Sequence, residues 1–268
     1  MNIVKKHNFK GLEAVELGYS PIGRPFVTVL FYIADGVMID TGQTNMRKYV
    51  AEFIKQKDLK YVLLTHHHED HTGNAAMIRK MHDTDVLGHP LMIRKMQTGY
   101  NIMPYQHLLF GKAKKVSVLP YPPVIESDNI CFRPVHTPGH SKDHTVYLVE
   151  EKGWLFSGDL YVGEKIKYFR ADENIADQIR SLKKILKYDF KSLYCAHRPC
   201  PENGKIHIQR KLNYLEEFCG NVRMLSEKGY SETAIAKKLG NRSDRNVRLF
   251  TMGNVSFGHM VRSAVKNQ

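Results

Sequence analysis

The run Thr65-His66-His67-His68-Glu69-Asp70-His71 places four side chains of metal-ligand type, His66, His68, Asp70 and His71, within six positions as H-x-H-x-D-H. Imidazole nitrogen with carboxylate oxygen suits Zn²⁺ best and iron or manganese less well, and the motif holds no thiolate. A loop leaving a strand aims alternate side chains, His66 and His68, to one side, and the next turn then presents Asp70 and His71 a few ångströms away. The spacing therefore predicts two adjacent metal sites. Histidines standing alone also fit a merely solvated loop. Three downstream segments argue against that plainer reading: Thr137-Pro138-Gly139-His140-Ser141, Phe156-Ser157-Gly158-Asp159 and Cys195-Ala196-His197. Each candidate ligand is expected where a strand ends.

Taken in order, H-x-H-x-D-H, T-P-G-H, S-G-D and A-H, with Ile39-Asp40-Thr41-Gly42 upstream, resemble the metallo-β-lactamase superfamily over about residues 12 to 200. The resemblance implies His66, His68 and His140 on one ion, Asp70, His71 and His197 on a second, and Asp159 bridging them. Asp40 would stand behind the ligands and orient their loop by hydrogen bonding. An α/β fold is implied as well, the four-layer αββα sandwich of that superfamily, with a small C-terminal helical appendage.

Within the superfamily, the T-P-G-H-S turn and the aspartate bridge are similar to the glyoxalase II, lactonase and lactamase-β-like hydrolase branches. Antibiotic lactamases fit poorly: they carry cysteine where this chain has Asp159 and are exported, whereas Met1 to Asn8 turns polar before a signal-peptide core could form. Nucleases with a large inserted cap also fit poorly, because 19 positions separate His140 from Asp159 and 38 separate Asp159 from His197.

Two divalent ions sharing a solvent molecule lower its pKa toward neutrality, so a metal-bridging hydroxide is the expected nucleophile. One ion would polarise a carbonyl and the other assist the leaving group, which suits esters, thioesters and lactones of a small anionic substrate. The expected cofactors are two Zn²⁺, with Fe or Mn as the alternative. Asp70 and Tyr161 are the candidate catalytic residues. Tyr161, two residues past Asp159, is placed to donate to a developing oxyanion, as a tyrosine near this position does in the lactonase branch, and its competing role is aromatic packing. His67, His82, His89, His107, His136, His144, His207 and His259 lie outside the motifs and read as structural or surface residues.

The elements that must carry these side chains follow from patterning. Glu13 to Asp40 reads as β-structure with an Asp35-Gly36 hairpin turn. Met46, Tyr49, Val50, Phe53 and Ile54 recur at helical spacing before the apolar strand Tyr61-Val62-Leu63-Leu64. The ligand cluster thus sits at the carboxyl end of a strand, where open α/β sheets hold ligands. Residues 85 to 149 read as strand-rich and broken by prolines. Met92, Met96, Tyr100, Met103, Tyr105 and Phe110 read as core or as a pocket wall. Thr145 to Val149 and Trp154 to Phe156 predict a second hairpin, Ile175, Ile179, Leu182 and Leu186 an amphipathic helix, and Ser192 to Cys195 the strand that delivers His197.

The chain has 268 residues, 42% of them hydrophobic and 25% charged, which fits one large core with an appendage and excludes a disordered chain. No apolar run reaches membrane-spanning length. Four irregularly spaced cysteines, with Cys195 and Cys200 bracketing His197 without CxxC spacing, read as reduced thiols in a cytoplasm. The formal net charge of +13 favours anionic partners or a lysine-rich solvated surface.

A catalytic domain of residues 1–205 and a basic helical region of 206–268 are expected. Residues 198 to 268 hold thirteen Lys and Arg against six Asp and Glu. Ser231 as N-cap and Gly240 as stop predict a helix over 232–239, a second helix is expected after Ser256, and the pattern resembles a helix-turn-helix fragment. That leaves nucleic-acid binding and a homodimer open. The alternative functions are a metal-dependent nuclease of the same fold acting on RNA or DNA, a mononuclear iron persulfide dioxygenase, and a DNA-binding protein with structural zinc.

Overall fold

The computed structural model describes residues 1–240 and 244–266. Asn2–Phe9 (β1) and Leu12–Tyr19 (β2) pair antiparallel through a turn at Lys10 and Gly11, and Thr28–Ala34 (β3) and Val37–Ile39 (β4) continue the sheet. Asp35 and Gly36, at φ 50° and 74°, make the expected hairpin turn, in which both central residues need positive φ. Tyr61–Leu63 (β5), Asp85–Gly88 (β6) and Leu119–Pro120 (β7) then add in parallel, giving seven strands in chain order.

Arg47–Ile54 (α1), Glu69–Thr72 (α2), Ala75–His82 (α3), Pro90–Thr98 (α4) and Pro104–Leu109 (α5) occupy the connections. The strand-rich reading of residues 85 to 149 is corrected here, since residues 90–98 and 104–109 are helical. Proline pre-sets the first helical φ in both, and the His89 side chain accepts from Leu91 N–H to cap α4.

The second sheet holds Ile125–Glu126 (β8), Cys131–His136 (β9), Thr145–Val149 (β10) and Trp154–Gly158 (β11). Phe169–Arg170 (β12) lies apart, and Ser192–Cys195 (β13) joins β11 in parallel, for an order β13-β11-β10-β9-β8. Ile175–Ile185 (α6), Gly204–Glu227 (α7), Glu232–Leu239 (α8), Asp244–Phe250 (α9) and Phe257–Lys266 (α10) complete the helices. Val255–Ser256 (β14) pairs with β12.

Three clusters of buried residues define four layers. Leu30, Tyr32, Ile39 and Leu63 of the first sheet meet Phe132, Tyr147, Phe156 and Tyr194 of the second. Outside the first sheet, Val50, Ile54, Ile78 and Met92 of α1, α3 and α4 cover Phe31, Val62 and Val86. Outside the second, Leu182, Ile208, Leu215 and Met260 of α6, α7 and α10 cover Val146, Leu148, Leu155 and Leu193. The order is helices, sheet, sheet, helices, as the αββα reading requires. Full burial of each large side chain between the sheets, such as Phe132 or Phe156, contributes about 1.5–3 kcal/mol. Tyr32 and Tyr147 keep their hydroxyls satisfied there by donating to Cys195 O (2.6 Å) and Leu64 O (2.8 Å), so each also ties one sheet to the other.

The C-terminal helices share the core of the second sheet: Val222, Ile235, Met260 and Val261 belong to the same cluster as Leu193. Residue 205, where the sequence pattern divides the chain, lies in the first turn of α7. Ser231 Oγ caps α8 by accepting from Ala234 N–H at 3.3 Å, and Gly240 follows its last turn. The helix-turn-helix pattern runs through residues 241–243, which lie outside the described residues. No helix among the described residues is long and apolar enough to cross a membrane.

Candidate metal centre

The centre forms where the two sheets meet at the carboxyl ends of β4, β5, β11 and β13. Backbone bonds lock the seam: Thr145 N–H donates to Thr65 O at 2.8 Å, and Leu30 N–H to Ala196 O at 2.6 Å. Asp40, one residue past β4, takes the left-handed conformation (φ 56°) that Asp tolerates better than most residues. Its Oδ1 accepts from Thr65 N–H at 2.9 Å and its Oδ2 from the Thr65 hydroxyl at 2.9 Å.

At His66, His71, His140 and His197 one ring nitrogen faces a protein partner and the other points inward, whereas His68 turns Nδ1 inward and its buried Nε2 makes no hydrogen bond among the described residues. His71 Nδ1–H donates to Asp40 Oδ2 at 2.7 Å, and His197 Nδ1–H to Thr28 O at 2.7 Å. The Thr65 hydroxyl, having given its proton to Asp40, accepts from His66 Nδ1–H at 3.0 Å. His140 Nδ1 faces Glu173 Oε2 at 3.4 Å. Partners of this kind fix tautomer and ring direction in metal sites.

The inward atoms converge. His66 Nε2 lies 2.8 Å from His68 Nδ1, which lies 3.0 Å from His140 Nε2. Asp70, His71 and His197 make a second trio, with His71 Nε2 and His197 Nε2 at 3.7 and 3.9 Å from Asp70 Oδ2. Asp159 stands between the trios. Its Oδ1 faces His71 Nε2 (3.5 Å) and His197 Nε2 (3.3 Å), and its Oδ2 faces His140 Nε2 (3.3 Å). A tetrahedral zinc about 2 Å from its donors holds them roughly 3.3 Å apart, close to these separations. His71 Nε2 and Asp159 Oδ1 are buried and make no hydrogen bond among the described residues, a state that costs free energy unless something charged joins them. The donor set therefore fits a pair of divalent ions, with nitrogen and oxygen but no sulfur.

Charge is distributed unevenly. Burial, reinforced at His68 by the Arg170 charge and at His66 by neighbouring imidazoles, holds both histidines well below the usual imidazole range. At His197 burial opposes protonation, but the Asp159 and Asp70 carboxylates outweigh it and raise the ring to about 9. His71 shifts upward in the same sense, as burial yields to Asp40, Asp70 and Asp159.

Several participants carry no motif of their own. His144, which the sequence assigns to a structural or surface role, is wholly buried beneath the centre. Its Nε2 accepts from Asp159 N–H at 3.0 Å, and its Nδ1 lies 2.9 Å from Thr137 Oγ1. The i, i+4 spacing of His140 and His144 was the available signal. Glu173 had none, since it reaches His140 from the far side of a 33-residue separation. His67, also outside the ligand set, donates from its backbone N and Nδ1 to Asp143 at 2.9 Å each, and this holds the cluster loop against the second sheet.

Gly139 (φ 135°) and Gly158 (φ 45°) permit the close approach: a Cβ on Gly139 would lie 2.4 Å from Gln178 N, and one on Gly158 2.8 Å from His144 Nε2. Tyr161 is buried, with its hydroxyl 3.9 Å from Cys200 Sγ and its ring near His207. All four cysteines are unpaired.

The family model described as "Metallo-beta-lactamase superfamily" matches residues 24–197. The chain is 30% identical over 185 residues to a "Beta-lactamase-like protein 2 homolog" of Drosophila melanogaster, over 66% of this chain and 60% of that protein. It is 32% identical over 124 residues to a "Hydroxyacylglutathione hydrolase" of Shewanella loihica, over 46% of this chain and 41% of that protein. Against the first curated relatives, the chain spans about half to three fifths of their length. A metallo-beta-lactamase family protein of Thermus thermophilus superposes with a TM-score of 0.63 at 19% identity, over 96% of this chain and 94% of that one. A flavo di-iron protein variant of Thermotoga maritima does so at 0.60 and 17%, over 86% and 72%. At these identities the two structures speak for the fold alone.

Proposed function

The chain belongs to the metallo-beta-lactamase superfamily, and from that premise we propose that it is a dinuclear metal-dependent hydrolase cleaving an ester, thioester or lactone bond of a small anionic substrate. Zinc is the ion the donor set favours, and Fe or Mn the alternative. The observation that carries this reading is the position of Asp159, whose two oxygens face one trio each at 3.3 to 3.5 Å.

In this proposal His66, His68 and His140 would hold one ion and Asp70, His71 and His197 the other, with Asp159 available to both. When bound, such a pair supplies a nucleophilic water at neutral pH and Lewis-acid polarisation of a carbonyl. The protein's own part is positioning. Asp40 and Thr28 O fix His71 and His197 in the tautomer that leaves Nε2 unprotonated toward the centre. Thr65 does the same for His66 while clamped to Asp40. His144 holds the Asp159 backbone, so the bridge keeps its direction. The ligand residues His66, His68, Asp70, His71 and Asp159 are buried, and low local dielectric strengthens every charge interaction among them.

Elemental analysis of purified protein, followed by turnover of a panel of thioesters, lactones, aryl esters, phosphodiesters and short RNAs, tests the proposal. Two equivalents of metal per chain with ester or thioester turnover are expected. Protein without transition metal, or turnover confined to phosphodiesters and steeply weakened by salt, would overturn it in favour of no metalloenzyme or of the nuclease alternative.

A further inference from the structure

A chain of contacts leaves the metal centre at His197 and returns to it at His140. From His197 it passes through Thr28 O to the preceding loop, where Phe26 meets Phe250 of α9 at 6.3 Å between ring centroids. Phe250 meets Tyr105 of α5 at 6.1 Å, and the Tyr105 hydroxyl accepts from Asn254 Nδ2 at 2.7 Å. Asn254 O accepts from Ala171 N–H at 2.9 Å, next to Arg170, which pairs with Val255 across β12 and β14. Arg170 N–H donates to Glu173 Oε1 at 3.0 Å, and Glu173 faces His140, which closes the ring. Phe250, Asn254 and Val255 are thereby tied through neighbouring residues to both His197 and His140.

Two features of this ring point to a ligand. Arg170 is largely buried, with 22% of its side chain exposed; its Nε pairs with Asp172 at 3.5 Å, and its two terminal nitrogens make no hydrogen bond or ion pair among the described residues. A planar guanidinium with both terminal nitrogens available is the side chain best shaped to hold a carboxylate or phosphate. Where Phe26 and Phe250 meet, the two segments also expose Ile22 (86%), Phe26 (85%), Leu249 (77%) and Met252 (58%). Exposed apolar side chains on both segments that meet at Phe26 and Phe250 favour an apolar occupant there. Aliphatic groups accompany the aromatic pair, which favours an alkyl chain or ring over stacked bases.

We propose that Arg170 binds the anionic group of the substrate and that the lip of Phe26 and Phe250, with Ile22 and Leu249, receives its apolar part, so that the substrate is an amphiphilic anion. This rests on the hydrolase reading for the position of the scissile bond, but the binding site itself stands apart from that reading.

The test is calorimetric titration of the metal-free full chain with decanoate and with neutral decanamide. Decanoate is expected to bind at least about tenfold more tightly, the margin one charge-assisted pair provides. Arg170→Met should abolish that margin and leave decanamide unchanged, and Arg170→Lys should keep part of it. The double variant Phe26→Ser, Phe250→Ser should weaken both ligands. Equal affinity of the two ligands for the parent protein, a margin that survives Arg170→Met, or an oligoribonucleotide that displaces decanoate at lower concentration than decanoate binds, would each overturn the proposal. If the metal-loaded enzyme hydrolyses no ester while decanoate still binds through Arg170, the hydrolase reading falls and the anion site stands.

Discussion

The backbone N–H of Asp159 donates to Nε2 of His144 at 3.0 Å, so the residue between the two His/Asp trios is held from behind by a histidine that is not itself in either. Nε2 accepts, which puts the ring proton on Nδ1, where Thr137 Oγ1 receives it. Burial and then the nearby His140 charge hold His144 down to about 3, so it stays neutral. His144→Ala should lower affinity for the metal pair by about 10- to 100-fold, the usual loss when a supporting partner is removed. Competition with a chromogenic chelator measures it, and affinity equal to that of the parent would show the bond to be incidental.

Asp40 combines a backbone role with an electrostatic one, and two substitutions separate them. Asn tolerates the left-handed backbone but offers Thr65 N–H and His71 Nδ1–H one acceptor instead of two, so Asp40→Asn should lose about 10- to 100-fold in metal affinity with little loss of fold. Asp40→Ala should show the same metal defect plus roughly 1–2 kcal/mol of destabilisation from its positive φ. Denaturant melts of the metal-free variants read the second effect. Equal stability of the two would remove the backbone argument.

Lys211 is 1% exposed and donates to Leu160 O at 2.6 Å. Burial lowers it to about 8, against the partial support of Glu173 and Asp159. A lysine depressed in the folded state destabilises wherever it must stay charged. The cost is fully present below pH 8. It shrinks as pH rises toward the unfolded value near 10.5, because over that interval the unfolded chain binds the extra proton. Relative to Lys211→Met, the parent should gain up to about 3 kcal/mol between pH 8 and 10.5. Parallel stability profiles of the two proteins over that range would refute the assignment.

Tyr161 offers a clean contrast. Its hydroxyl lies against Cys200 Sγ, and burial raises it well above the usual phenol range. Tyr161→Phe should leave kcat within about twofold of the parent. An oxyanion donor would instead cost roughly a hundredfold or more when removed, and a loss of that size would support the expected role of Tyr161 in the reaction.

How much of the molecule is legible in the sequence follows from how locally each feature is encoded. The αββα layering rests on strand and helix periodicities that act over short stretches of chain, and the Asp35-Gly36 turn is set by two residues whose backbone needs are intrinsic. The ligand motifs are similarly compact: His66 to His71 occupy one loop. The supports behind them are not. Glu173 meets His140 only because α6 packs on the second sheet, and β12 and β14, two residues each, owe their existence to contacts 85 and 87 positions apart in the chain. Residues 85 to 149 read as an interrupted sheet because proline marks turns and helix starts alike. At Pro90 and Pro104 it starts helices, and the difference is decided by what the next turn can bury, at Pro90 Met92 and Met96.

The single tryptophan of the chain, Trp154, opens β11, and Asp159 follows the residue that ends it. A strand advances about 3.3 Å per residue, which separates the two backbone positions by at most roughly 16 Å. Intrinsic fluorescence would thus report on the melting of the second sheet, and a colourless ion such as zinc in the centre would leave it unquenched, giving the zinc-loaded protein an optical gauge of folding.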